Sequence, residues 1–198
     1  KEVSADAAEA IAAANAPAGH IATLILPADT AWNEAEAVAD IPAAAEAVKV
    51  PDERIEAIAK VLRSGEPTLL LLGHKSLREG ALESASRIAQ GAGVAMLAEV
   101  NNARIERGAG RVAIERVPYP IDQAIKVLKD FRQVVLVGAA EPVAFFAYPG
   151  KPSKLLPDGC QVHTLATLDD DQADALARLA DVVAKDVQPL LTEYKRPE

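Results

Sequence analysis

Thr68-Leu69-Leu70-Leu71-Leu72-Gly73 is the stretch that decides the fold. It is a short apolar block with no in/out alternation, and a glycine closes it. A strand that is apolar on both sides is buried on both sides, and that is the habit of parallel sheets covered by helices. Reading outward, the same unit repeats. Upstream, Pro51-Asp52-Glu53 starts a helix whose Ile55, Ile58, Ala59 and Leu62 fall on one face, and Gly65 closes it. Downstream, a helix from Leu77 to Gln90 stops at Gly91-Ala92-Gly93, and Val94 to Leu97 is the next strand. Pro120-Ile121-Asp122 begins a further helix with Ala124, Ile125 and Leu128 inward. Val134 to Val137 is a strand ending in Gly138. Gln161 to Leu165 is the last strand, and Asp169 to Ala184 the last helix, with Leu176, Leu179, Val182 and Val183 inward. Strands that alternate with helices of this length predict an α/β fold: a Rossmann-like parallel sheet with helices on both faces.

The first fifty residues read differently. Ser4-Ala5-Asp6-Ala7 supplies an N-cap and first turn for a helix to about Asn15, and Pro17-Ala18-Gly19 stops it. Ile21 to Leu26 is a continuous apolar run, which predicts another strand buried on both faces. From Thr30 to Val50 there is no clean period, and the composition is that of a linker.

Composition narrows the function. The formal charge is −8 and no basic run occurs, which excludes a nucleic-acid surface built on phosphate neutralisation. No apolar stretch reaches the roughly 20 residues that a membrane span requires, and no signal peptide is visible. Cys160 is the one cysteine, so no intrachain disulfide can form, and a reducing, cytoplasmic setting is expected. Cys160 itself reads either as a nucleophile or as a strand-entry residue after a turn, and free cysteines favour the second. The acidic run Asp169-Asp170-Asp171 reads as solvating a helix N-terminus rather than binding metal.

Ligands of such sheets bind at the carboxyl ends of strands. Those ends carry Gly73-His74-Lys75, Glu99-Val100-Asn101 and Gly138-Ala139-Ala140. Gly73, His74, Gly138 and Ala139 are therefore the candidate cofactor-binding residues, through close approach of the backbone to a nucleotide pyrophosphate. Neither turn has the G-x-G-x-x-G spacing, and a tight strand-to-helix turn also accounts for each glycine. His20, His74 and His163 form no metal-ligand spacing; His163 reads as a hydrogen-bonded core or edge residue, and His74 as a ligand contact or a solvated turn residue. No P-loop and no G-x-S-x-G are present, and no catalytic or metal-binding residue is assigned. Arg104, Arg107, Arg111 and Arg116 share one loop. They could hold an anionic cofactor, or pair with Glu106 and Glu115 across an interface, the reading we favour. The aromatic loop Phe145 to Tyr148 is expected to be covered by another domain or subunit.

Three segments carry a resemblance. Ile21-Ala22-Thr23-Leu24-Ile25-Leu26-Pro27-Ala28-Asp29-Thr30-Ala31-Trp32 resembles the end of the N-terminal pyrimidine-binding domain of thiamine-diphosphate enzymes. Glu106-Arg107-Gly108-Ala109-Gly110-Arg111 and Val143 to Ser153 (Val-Ala-Phe-Phe-Ala-Tyr-Pro-Gly-Lys-Pro-Ser) resemble the central domain of the acetolactate-synthase-like branch, close to benzoylformate decarboxylase. The resemblance implies four parts: residues 1–32 as the last helix and strand of the first domain, 33–50 as a linker, 51–186 as the central Rossmann-like domain, and 187–198 as a linker toward a C-terminal domain. It implies a fragment of a longer enzyme whose partners are the flanking domains and, in a homo-oligomer, further copies as a dimer or tetramer.

In that family the first domain supplies a glutamate that activates the cofactor, and the third holds its diphosphate through Mg²⁺ with a Gly-Asp-Gly motif. This chain has neither region. The resemblance thus implies thiamine diphosphate and Mg²⁺ for the parent enzyme, a 2-keto acid carboligase or decarboxylase, with both sites outside this chain. Flavin-binding relatives have a Gly-rich turn where Gly73-His74-Lys75 stands, Gly-x-Arg-x-Asp where Gly138-Ala139-Ala140-Glu141-Pro142 stands, and an acidic residue within Leu165-Ala166-Thr167. FAD is not expected. The rival expectations are a stand-alone module that binds ADP, NAD or FAD, and a purely structural interaction domain.

Overall fold

The computed structural model describes residues 2–35 and 37–194. The chain separates into two compact units, Lys1–Val48 and Lys49–Glu198. In the first, α1 (Val3–Ala14) buries Ala8, and the Ser4 hydroxyl accepts the Ala39 N–H at 2.7 Å. The strand expected over Ile21 to Leu26 does not form. Ile21 is 98 % exposed and Ile25 84 %, and among the described residues of this unit the one further element is a 3-10 turn, Ala28–Ala31. A strand is held by a neighbour's backbone, and among the described residues of this unit no second strand is available to pair. The apolar run shows that the segment is suited to burial, but it does not contain its own partner.

The second unit is a four-stranded, all-parallel sheet in the order β2-β1-β3-β4. Its elements are α2 (Asp52–Leu62), β1 (Thr68–Leu72), α3 (Glu79–Ala92), β2 (Ala95–Ala98), α4 (Ile121–Leu128), β3 (Gln133–Val137), β4 (Gln161–Ala166) and α5 (Gln172–Val183). Central β1 is buried at every position. Its side chains alternate between two cores. Leu70 and Leu72, with Val135 and Val137 of β3, pack on Ile58 of α2, Ile88 of α3 and Leu176 of α5. Leu69 and Leu71, with Val134 and Leu136, pack on Ala124 and Leu128 of α4 and on Leu155. Helices therefore cover both faces. Each leucine of β1 is fully buried, which contributes about 2 kcal/mol per side chain by area.

Two boundaries differ from the expected ones for a physical reason. The third helix starts at Glu79, not Leu77, because His74–Leu77 forms a separate 3-10 turn. The last starts at Gln172, because the acidic run is spent on capping. Asp171 accepts the Asp174 N–H at 3.0 Å, while Asp170 accepts the Thr167 N–H at 2.7 Å and its hydroxyl at 2.9 Å. Arg178 of α5 then ties Asp174 (2.8 Å), Asp52 (2.5 Å) and the Val50 carbonyl (2.5 Å) together, which fixes α2 on α5. The end of the expected C-terminal linker, Lys195–Glu198, lies outside the described residues.

Candidate functional site at the strand carboxyl ends

From β1 the chain crosses to β2 on one side, and it returns to β3 on the other. The crevice outside β1 and β3 is thus the switch point, where ligands of open α/β sheets bind. Gly73 and Gly138 flank it. Both continue the ladder by one bond: Gly73 N–H to Val137 O at 3.0 Å and Gly138 N–H to Ala166 O at 2.8 Å. Glu99 does the same from β2, its N–H bonding Leu72 O at 2.8 Å.

The two glycines are required for different reasons. Gly73 is extended, with φ −144°, so its conformation suits any residue. What it lacks is room: a Cβ there would lie 2.5 Å from Glu99 Oε1 and 2.5 Å from Gly138 O. Gly138 sits at φ +60°, the left-handed region, and a Cβ would also meet the Gln172 amide, 2.6 Å from Nε2. The space beside both glycines is filled by side chains of this chain.

Gln172 is 1 % exposed. Its Oε1 accepts the Ser76 N–H at 2.8 Å and its Nε2 donates to Thr167 O at 3.0 Å. Ser76, fully buried, stitches the strand ends. Its hydroxyl accepts the Gly73 N–H at 3.0 Å, and its Oγ lies within donating distance of Gly73 O (2.6 Å) and Val137 O (3.0 Å). Glu99 reaches across from the end of β2, and its carboxylate lies beside Gly73. Burial pushes the Glu99 carboxyl above its usual range, against the smaller opposing pull of the backbone at Ala140 and His74. A 130 Å³ cavity lined by Glu99, Leu71, Val117, Ala140, Pro142 and Val143 adjoins it.

The remaining candidates are dispersed. His74 stands next to the crevice at φ +51°, a conformation that histidine tolerates better than most residues. Ala139 packs into the core beside α4. His163 Nε2 bonds Gln133 Oε1 at 2.7 Å on the edge strand pair. His20 is exposed in the first unit. Cys160 precedes β4, and burial pushes its thiol up, opposite to what a thiolate nucleophile needs.

The arginine loop divides. Arg104 pairs with Glu106 at 2.8 Å and Arg111 with Glu79 at 3.3 Å, within the chain. Arg107 and Arg116 line an open 540 Å³ pocket with Asn101 and Tyr119. Glu106 accepts the Glu79 N–H at 2.8 Å at the start of α3, and this bond, with the arginines around it, draws its carboxyl below its ordinary value. Phe145, Phe146 and Tyr148 stack edge to face and remain exposed beside Tyr119 and Ile121, around a 510 Å³ groove. Among the described residues no group of three or more His, Cys, Asp or Glu is gathered as a metal site. No helix there is long and apolar enough to cross a membrane. The described residues thus offer no gathered ligand set for Mg²⁺.

Sequence reasoning names Glu99 only as part of a strand end and passes over Ser76 and Gln172. The available signal was Glu99, an acid directly after an apolar strand. Nothing marks Gln172, which by position looks like an ordinary first-turn residue of α5.

No protein-family model matches the chain. Over all 198 residues it is 46 % identical to the acetolactate synthase large subunit-like protein IlvX of Mycobacterium tuberculosis, and it spans 38 % of that protein. Among solved structures, a protein isolated from Mycobacterium smegmatis and described as a thiamin diphosphate-dependent enzyme matches 79 % of this chain with 34 % of its own, at TM-score 0.55 and 23 % identity. The thiamine diphosphate-dependent 4-hydroxybenzoylformate decarboxylase of Rhodococcus jostii RHA1 matches 90 % with 35 % of its own, at TM-score 0.51 and 17 % identity. At those identities the two structures speak for the fold alone. The sequence identity, which runs from the first residue to the last, relates this chain to the acetolactate synthase large-subunit-like proteins, of which it spans a little over a third.

Proposed function

We propose that the chain is the central scaffold and interface region of a thiamine-diphosphate-dependent 2-keto acid carboligase or decarboxylase, and that it contributes no catalytic residue. The observation that carries this reading is the 46 % identity along the whole chain to one contiguous third of an acetolactate synthase large-subunit-like protein. In this reading thiamine diphosphate and Mg²⁺ are held by flanking domains. The cofactor supplies the stabilised carbanion when bound. The sheet described above sets the spacing between those domains. Residues 1–32 belong to the preceding domain, whose strands would cover the exposed Ile21 and Ile25. The aromatic groove of Phe145, Phe146 and Tyr148 faces another domain or another copy in a dimer or tetramer, in the cytoplasm.

The test compares two samples, each given thiamine diphosphate, Mg²⁺ and pyruvate or benzoylformate. One is the 198-residue chain. The other is the protein isolated from its natural source, with its intact mass measured. The natural protein is expected near 55 kDa, of which the 20.8 kDa chain is 38 %, and it alone turns substrate over. Turnover by the 198-residue sample would refute the scaffold assignment. A natural mass of 20.8 kDa would refute the parent enzyme.

A further inference from the structure

Of the four arginines between β2 and α4, two are spent inside the chain: Arg104 on Glu106 at 2.8 Å and Arg111 on Glu79 at 3.3 Å. Arg107 and Arg116 make no ion pair or side-chain hydrogen bond among the described residues, and both line the same open 540 Å³ pocket. The chain has 29 Asp and Glu against 21 Lys and Arg, so carboxylates are in excess and the two are not left over for want of partners. The backbone holds each in place. Ala98, at the end of β2, donates its N–H to Glu115 O at 2.8 Å and accepts the Val117 N–H at 2.9 Å, while Glu99 turns back to Leu72 of β1. The segment Glu115 to Val117 therefore runs along the outer edge of β2, with Arg116 opposite Ala98. Arg107 follows Glu106, whose N–H bonds Leu77 O at 3.1 Å and whose carboxylate accepts the Glu79 N–H at 2.8 Å.

We propose that Arg107 and Arg116 form a binding site for a small organic oxyanion, whose aromatic or apolar body lies against Tyr119. Guanidinium forks bind phosphate and carboxylate oxygens through paired hydrogen bonds, and Asn101 adds an amide at the same pocket. Glu115 lines the pocket as well, so two guanidiniums stand there against one carboxylate and a net positive charge remains. Tyr119 is 53 % exposed and lines both this pocket and the aromatic groove of Phe145, Phe146 and Tyr148, so an anion held by the arginines has an apolar surface beside it. The volume falls within the range of about 300–1,000 Å³ usual for small-molecule sites. This site stands on the outer edge of β2, apart from the crevice between β1 and β3, and it does not depend on the activity of the parent enzyme.

The test follows backbone amide chemical shifts of the 198-residue chain during titration with phenyl phosphate and, separately, with inorganic phosphate. Both probes move the amides of Arg107 and of residues 114–119, and phenyl phosphate binds about threefold to tenfold tighter, through its ring on Tyr119. Arg107→Gln and Arg116→Gln each weaken both probes by about tenfold. Both side chains are exposed, so these variants keep the fold. Arg104→Gln, whose partner is Glu106, changes binding by no more than about twofold. Tyr119→Ala brings phenyl phosphate down to the affinity of inorganic phosphate. The proposal is overturned if neither probe binds, if binding is unchanged in the Arg107 and Arg116 variants, or if the two probes bind the wild type equally.

Discussion

Gly138→Ala offers the sharpest test of how the strand-end crevice is filled. The new methyl group meets two separate obstacles. An alanine at φ +60° costs about 1–2 kcal/mol whatever surrounds it. The methyl also strikes the Gln172 amide. If that amide is displaced, the buried Ser76 N–H loses its acceptor, at about 1–3 kcal/mol, and the bond to Thr167 O, worth about 1 kcal/mol, goes as well. Gly138→Ala should therefore destabilise by about 3–6 kcal/mol. Gln172→Ala alone removes the same two bonds and should cost about 2–4 kcal/mol. In Gln172→Ala the space beside Gly138 is empty, so adding Gly138→Ala should cost only the backbone part, about 1–2 kcal/mol. The double mutant then falls short of the summed single costs by about 2–4 kcal/mol, well above the scatter of independent sites. Urea unfolding of the four proteins, followed by far-UV circular dichroism and compared at unchanged slope, measures this coupling. Additivity within about 0.5 kcal/mol would refute the argument that Gly138 is a glycine because Gln172 lies against it.

Two further outcomes follow from the packing and the charges. At Gly91 of α3 a Cβ would lie 2.6 Å from the Ala184 Cβ and 3.1 Å from the Val183 carbonyl at the end of α5. Gly91→Ala should thus destabilise by about 1–3 kcal/mol, despite the gain of nearly 1 kcal/mol in helix propensity, and a net stabilisation in urea would mean that the two helices can part. Glu106 holds the first turn of α3, and its carboxyl is drawn below its ordinary value of 4.5, chiefly by the Glu79 N–H and also by Arg104, Arg78 and Arg111. A depressed folded value means that the stabilisation is present above the unfolded value and is lost as pH falls from about 4.5 through the folded one. Glu106→Gln should flatten the acid limb of the unfolding curve in that window, and a limb of unchanged steepness would count against the cap.

The sequence alone determined the periodicity and hence the class of fold. Thr68 to Leu72 could be read as a doubly buried strand because burial on both faces leaves a run of leucines whatever the neighbours are, and α2 and α5 could be read because a helix in contact with a core must repeat its apolar residues at 3.6. The resemblance rested on the same kind of local record, in Glu106 to Arg111 and Val143 to Ser153. Ile21 to Leu26 marks the limit of that reading, since an apolar run states a need for burial and not what meets it. The crevice was legible only as a place. Gly73 and Gly138 marked the strand ends, but their purpose was decided by Glu99 and Gln172, and Ser76 and Gln172 are 96 residues apart. Only the tertiary structure brings those side chains to one point, because the switch from β2 across to β3 sets strand ends side by side that the sequence keeps apart. Local pattern records which face of an element is buried; what fills a site depends on which elements the topology makes neighbours.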